Sequence, residues 1–332
     1  MTLRDTDPRA LVDRTAGVAK TQWTQRGGWA WLFGGLALVA HGLVVVSLIM
    51  STAVTEQIAS LLPQVFVLGL ILHAMAVGLA RTRQALARSV GAIGVVVVFV
   101  ALVLAPWNQA DRAEAGGPSL RLTTYNAYFK NAKPPSLEQT DVIGLQEITS
   151  AELDAVARDM GASFTFLSQC QCTASGTEVG LVSRYEITDA TYFDDGGSGT
   201  FIRATLTVSP AKTIVAYVAH LPSPEDHSAR DRRNHLIDVI KGEIDKEAGD
   251  VMLLGDIGTT IYSPTFRTLK SDLKLQPVDY GLVTPCSWYG YGPLLCLRID
   301  HILISSGLRI VESSVAADQG SDHRAVSATI TW

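Results

Sequence analysis

Three stretches of the first 107 residues (29–50, 58–80 and 89–107) contain no Asp, Glu, Lys or Arg. A hydrocarbon core about 30 Å thick is crossed by roughly 20 helical residues. Each stretch has that length, and three in succession predict three transmembrane helices rather than core helices of a soluble domain. The first is not expected to be a cleaved signal, because its leading segment is long and its apolar part exceeds the roughly 7–15 residues of a signal core. His41 and His73 fall inside the spans. No acidic residue lies within any span to pair with them, so they are expected to pack as neutral side chains.

Charge sets the expected orientation. Residues 1–28 carry Arg4, Arg9, Arg14, Lys20 and Arg26, and the connection "RTRQALARS" carries Arg81, Arg83 and Arg88. The connection "STAVTEQIAS" carries no basic residue. Basic flanks stay in the cytoplasm. The N-terminus is therefore expected inside and everything after Trp107 outside. All four cysteines (Cys170, Cys172, Cys286 and Cys296) lie in that outer part, where disulfides persist. Cys286 and Cys296 flank the loop "CSWYGYGPLLC" and are expected to staple it. A four-cysteine zinc site is disfavoured by the C-x-C spacing of the first pair.

The polypeptide then divides into a cytoplasmic segment 1–28, a three-helix transmembrane region 29–107, a polar linker 108–119 and an extracytoplasmic domain 120–332. Residues 108–332 carry 19 basic and 28 acidic residues, net −9. Such a domain has no electrostatic footprint for general nucleic-acid binding. Its pattern is mixed. "LRLTTY" and "DVIGLQ" read as strands. "SAELDAVARDM" has helical spacing, with Ser150 as a cap. Further strands are expected at 164–168, 179–183, 201–208, 213–220, 251–256, 298–305 and 324–331, with an amphipathic helix at 228–247. A short helix is expected after Pro264. Asn126, Glu147, His220, Asp256 and Asp300 each fall at or near the end of an apolar strand, and Asp322 and His323 just before one.

Seven stretches, "TTYNA", "DVIGLQE", "VGLVSRYEI", "VAHLPSP", "LLGDIGTT", "RIDHILIS" and "GSDHRAV", resemble the endonuclease/exonuclease/phosphatase superfamily in its order. The likeness covers about 119–332 and is nearest to a membrane-anchored bacterial branch. It implies an α+β fold: a four-layer sandwich of two mixed sheets flanked by helices, here preceded by three transmembrane helices. It further implies a Mg²⁺- or Mn²⁺-dependent phosphoesterase in a bacterial inner membrane, with its catalytic domain periplasmic or extracellular. The substrate would be a lipid headgroup or nucleic acid, and no protein partner is expected.

By this resemblance Glu147 and Asn126 are hard oxygen ligands for the metal. Asp256 activates or orients the attacking water. Asp300 orients His323 and favours its charged form, with Asp322 beside it. His220 is a second polar or acid–base residue, with Glu178 as its candidate partner, and His301 is structural. Two positions after Asp256 the family has an Asn that grips phosphate; here Gly258 stands. Thr259 or Thr260 then substitutes for it, or the enzyme is slow or takes an unusual substrate, or the site has decayed. An active enzyme is the reading favoured. The alternative is a catalytically impaired member acting as an extracytoplasmic binding domain.

Overall fold

In a computed structural model of the chain, residues 8–79, 110–114, 116–128, 137–168, 178–194, 199–279, 285–317 and 319–332 are described. They belong to two compact units. One unit is Met1–Val46 with Leu62–Ala105. It holds most of helix α1 (Pro8–Ile49) and all of α3 (Leu62–Leu79). Gly28–Ile49 and Leu62–Leu79 are long and apolar enough to cross a membrane. Trp31, Leu38, Ile71 and Met75 are exposed on them. Small residues line the contact of α1 with α3. Gly34 meets Ala76, and a Cβ on Gly69 would stand 2.8 Å from Nε2 of His41. Such residues let apolar helices approach closely. The expected run 89–107 lies outside the described residues. The second run starts later than expected, because its first residues belong to a separate helix, α2 (Ala53–Ser60), capped by Thr52 and Thr55.

The other unit joins Ser47–Leu61 to Pro106–Trp332. The connection between the two apolar helices is thus part of this larger unit, which was expected to span 120–332 alone. Residues 110–113 are not a free linker either. Ala110 is buried, and the backbone around Arg112 pairs with Ile310.

Twelve strands form two sheets among the described residues. The first contains β1 (Ser119–Asn126), β2 (Val142–Gln146), β3 (Phe164–Leu167), β4 (Val179–Ser183), β11 (Arg309–Val315) and β12 (Val326–Thr331), in the order β11-β12-β1-β2-β4-β3. The second contains β5 (Glu186–Asp194), β6 (Thr200–Ser209), β7 (Lys212–His220), β8 (Asp250–Asp256), β9 (Gln276–Pro277) and β10 (Asp300–Ile304), in the order β5-β6-β7-β8-β10-β9. Only β1 with β2 and β7 with β8 run parallel. The described part of the β1–β2 crossover is a single 3₁₀ turn, Leu137–Gln139.

Side-chain alternation builds the layers. Leu122, Val142, Leu181, Ile202, Val218, Leu254, Ile302 and Ile330 fill the space between the sheets. The opposite faces carry Tyr125, Ile143 and Leu145 outward onto α4 (Ser150–Met160). Tyr217 and Leu253 meet Leu236 and Ile240 of α5 (His227–Ile244) and Phe266 of α6 (Pro264–Leu273). The order helix, sheet, sheet, helix is the expected four-layer sandwich. Helix α4 is capped by a Thr149–Glu152 box, so its cap is Thr149 rather than Ser150.

Candidate active site

Register brings the polar strand ends together. On the second sheet, His220 of β7 pairs with Asp256 of β8, and Asp256 pairs with Asp300 of β10. Three neighbouring strands therefore present three polar side chains abreast. A Cβ on Gly255 would lie 2.0 Å from the carbonyl oxygen of Ala219. Glycine alone permits the approach of β7 and β8 that sets this row. On the first sheet, Asn126 of β1 stands beside Gln146 of β2, and Glu147 follows. Glu147 has φ +52°. A non-glycine residue there is strained by about 1–3 kcal/mol, a cost tolerated chiefly at functional sites.

The two sheets meet at Asn126. Its Nδ2 donates to Oε1 of Glu147 at 3.0 Å and to Oδ2 of Asp256 at 3.2 Å. Its Oδ1 accepts the backbone N–H of Tyr128 at 3.0 Å. His220 Nε2 lies 3.7 Å from Oε1 of Glu147. Glu147, not Glu178, is therefore its carboxylate neighbour. The backbone carbonyl of Glu178 instead accepts the N–H of Ile148.

His323 completes the constellation. Its Nδ1–H donates to Asp300, 2.9 Å from Oδ2 and 3.1 Å from Oδ1. That leaves Nε2 3.7 Å from Oδ2 of Asp256. Ser321 fixes the chain here, its Oγ donating to the carbonyl of Asn126 and accepting the N–H of His323. Burial works against the imidazolium, but Asp300, Asp256 and Asp322 outweigh it and lift His323 to about 9. Burial raises Asp256 to about 6, and the Asp300 charge adds to the rise. Across neutral pH the pair is thus an imidazolium beside a carboxylate.

The stapled loop supports this pair. Cys286 and Cys296 are bonded. Ser287 Oγ accepts the N–H groups of Ile299 and Asp300, and Trp288 Nε1 donates to Oδ2 of Asp322 at 3.0 Å. Asp322 is thereby tied to the loop. Nothing in the pattern around Ser287 and Trp288 marks them as supports of the site; only the cysteine bracket marks their loop.

Gly258 and Thr259, two expected substrate contacts, both make bonds within the fold. Gly258 has φ +62°, and its N–H donates to Oδ1 of Asp256 at 2.9 Å. A Cβ there would meet the carbonyl oxygens of Pro222 and Leu221 at 3.0 and 3.1 Å. The glycine suits this left-handed, crowded backbone, and its N–H serves Asp256. The hydroxyl of buried Thr259 bonds Ser263 Oγ at 2.6 Å, at the cap of α6, so it is used for structure. His301 is structural as expected. It is buried, its Nε2–H donates to the Thr259 carbonyl and its ring packs on Phe266. Burial first, and Arg298 second, lower it to about 4.

Glu147 and Asn126 suit a hard divalent cation. Both offer oxygen, and Oε2 of Glu147 accepts no hydrogen bond among the described residues. Asp256, Asp300 and His323 also lie within 4.8 Å of one another. There the Nδ1 of His323 is already committed to Asp300, and the charged ring has no lone pair to offer. That trio has the character of an acid–base cluster.

Residues 109–323 match the family described as Endonuclease/Exonuclease/phosphatase family. No curated protein matches the chain. Among solved structures, the endonuclease/exonuclease/phosphatase from Bacteroides vulgatus is 16% identical with TM-score 0.54, covering 64% of this chain and 99% of that one. Beta toxin from Staphylococcus aureus is 17% identical with TM-score 0.51, covering 63% and 99%. D. rerio TDP2 complexed with single strand DNA product is 14% identical with TM-score 0.51, covering 64% and 99%. At such identities the likeness establishes the fold alone.

Proposed function

The chain belongs to the endonuclease/exonuclease/phosphatase family, whose members are metal-dependent phosphoric ester hydrolases, and on that premise we propose a membrane-anchored phosphoesterase acting outside the cytoplasm. The observation that carries the reading is the alignment of Asp300, His323 and Asp256 with Asn126 and Glu147 of the facing sheet. A pair of hard oxygen ligands, a carboxylate and an imidazole stand together at one edge of the sandwich.

Glu147 and Asn126 would hold Mg²⁺ or Mn²⁺, which offsets charge on the phosphoryl oxygens. Asp256 is the base. It is anionic at neutral pH, and the amide of Asn126 and the N–H of Gly258 hold both its oxygens. It orients a water in line with the phosphorus and takes its proton. His323 is the cation. Asp300 fixes its tautomer and ring plane, and Nε2–H is left to hold a phosphoryl oxygen as charge develops there. His220, beside Glu147, is placed to serve the leaving oxygen.

A lipid headgroup is the favoured substrate. Two helices long and apolar enough to cross a membrane adjoin the catalytic unit in sequence. The loop that holds Asp300 and Asp322 exposes Tyr291 (68%) and Leu294 (85%), and the net charge of −9 after residue 107 opposes long nucleic acids. Purified full-length protein should be incubated with mixed phospholipid vesicles and, separately, with supercoiled plasmid, each with Mg²⁺ or EDTA. Headgroup release that EDTA abolishes is expected. Nicked plasmid with intact lipid would assign the site to nucleic acid, and neither product would overturn the hydrolase reading.

A further inference from the structure

A carboxylate from the connection between the two apolar helices is buried inside the catalytic unit. Glu56 of α2 has no exposed surface. Its Oε1 accepts from Ser51 Oγ at 2.7 Å, Thr265 Oγ1 at 2.7 Å and Arg230 Nε at 3.2 Å. Its Oε2 accepts from Nη2 of Arg233, itself fully buried and 177 residues away in the chain. A guanidinium at that depth is tolerated only when paired, because desolvation of an uncompensated charge is severe. Within the described residues, Glu56 is the only carboxylate paired with Arg233.

The partners of this segment are placed with purpose. Arg230 and Arg233 lie on α5, which begins just after the loop that follows His220. Gln57 Nε2 donates to the carbonyls of Pro224 and Glu225 in that loop, at 3.0 and 3.1 Å. Thr265 opens α6, which follows the loop after Asp256. Arg267 of α6 donates to the carbonyls of Tyr262, at 2.9 Å, and of Leu48. The segment thus grips the loop after His220 directly and, through Thr265 and Arg267, the helix that follows the loop after Asp256. Those loops touch at Gly258, where not even a Cβ fits against Leu221 and Pro222 without movement. A shift of either loop is passed to the other, and from there to the N–H that holds Asp256.

We propose that residues 47–61 are a working part of the enzyme, and that Glu56 and Gln57 are positioning residues for the active site. The catalytic unit is then no separable cargo on a membrane tether. One of its struts comes, in sequence, from between the two apolar helices. This rests on the hydrolase reading only for its activity arm.

The test uses the full-length chain in detergent with bis-p-nitrophenyl phosphate and Mg²⁺. Gln57→Ala, at an exposed position, is expected to keep the parent melting temperature and KM while kcat drops roughly 10-fold, since small misplacements at a site are costly. Gln57→Glu should not restore it, because a carboxylate cannot donate to the two carbonyls. Glu56→Gln is expected to lower the melting temperature by roughly 10 °C. Adding Arg233→Met to Glu56→Gln should recover much of that loss, since both buried charges are then gone. Parent-like kcat in Gln57→Ala would overturn the positioning role. Parent-like melting in Glu56→Gln would overturn the buried pair. If the parent itself releases no nitrophenol, the hydrolase reading fails while the melting cycle still decides whether the segment is built into the unit.

Discussion

Asp300 grips Nδ1 of His323 with both carboxylate oxygens, at 2.9 and 3.1 Å, and so turns Nε2 toward Asp256, 3.7 Å away. Asp256 and His323, facing each other at this distance, titrate together. Asp256 is raised to about 6 and His323 to about 9. The base works when deprotonated, so kcat/KM should rise with pH through about 6. The cation works when protonated, so the rate should fall through about 9. Asp300→Asn removes the charge that lifts His323; its basic limb should move down toward the ordinary histidine range, with a rate loss of roughly 10²–10³. A pH–rate profile of both proteins checks this. An unmoved basic limb in Asp300→Asn would detach the limb from His323.

Gly258→Asn should lower activity, although it restores the residue usual in the superfamily. The backbone has φ +62°, and the added atoms face the carbonyls of Leu221 and Pro222. Asparagine tolerates such a φ better than most residues, so folding should survive while the N–H to Asp256 is displaced. A kcat reduced roughly 10-fold or more is expected. A kcat above the parent value would show that the site lacks only a phosphate donor and that the loop yields.

Acid should unfold the catalytic unit partly through Glu56. Burial pushes its carboxyl up, but Arg233, Thr265 and Ser51 outweigh this and hold it below 4.5. A depressed folded value stabilises the protein above the unfolded value, and the benefit is lost as pH falls through the folded one. Urea midpoints should decline below about pH 4.5 in the parent. Glu56→Gln, already weakened, should show a shallower decline over the same range. Parallel declines would mean that other carboxylates carry the acid sensitivity.

The connection holding α2 and the C-terminus should lie on one side of the membrane, and that side should be the outside. Val54 is 63% exposed on α2. In intact cells Val54→Cys should gain labelling by a membrane-impermeant maleimide over the parent. A reporter active only in the cytoplasm, fused after Trp332, should stay silent. Opposite answers from the two probes would contradict the compact unit of Ser47–Leu61 with Pro106–Trp332. A bright reporter with unlabelled Val54→Cys would reverse the orientation but keep the unit.

Much of the site was legible because strand ends carry single polar residues after apolar runs. "DVIGLQE" and "LLGD" put Glu147 and Asp256 at strand ends, and the family resemblance supplied the roles expected of them. Edge strands were harder. β5 and β11 are exposed along much of their length, so neither apolar run nor clean alternation marked them. Gly258 was ambiguous, since a missing side chain looks alike whether it is lost or forbidden; only the neighbouring carbonyls decide. Glu56 left almost no trace. A lone carboxylate between two apolar runs looks like a solvated loop residue. Its burial depends on Arg233, which sits in a helix rich in charge and far along the chain.

Metal-dependent hydrolysis at this site turns most directly on Glu147. Its carboxylate is the one hard, charged ligand assigned to the metal, and it is held in a strained φ beside Asn126. Hydrolysis of bis-p-nitrophenyl phosphate should be measured for parent and Glu147→Gln across a Mg²⁺ titration, with Mg²⁺ binding followed separately by calorimetry. The variant should fold, bind Mg²⁺ more weakly and lose roughly 10²-fold or more in kcat/KM. A variant that binds Mg²⁺ and hydrolyses the diester as the parent does would remove Glu147 from the metal site.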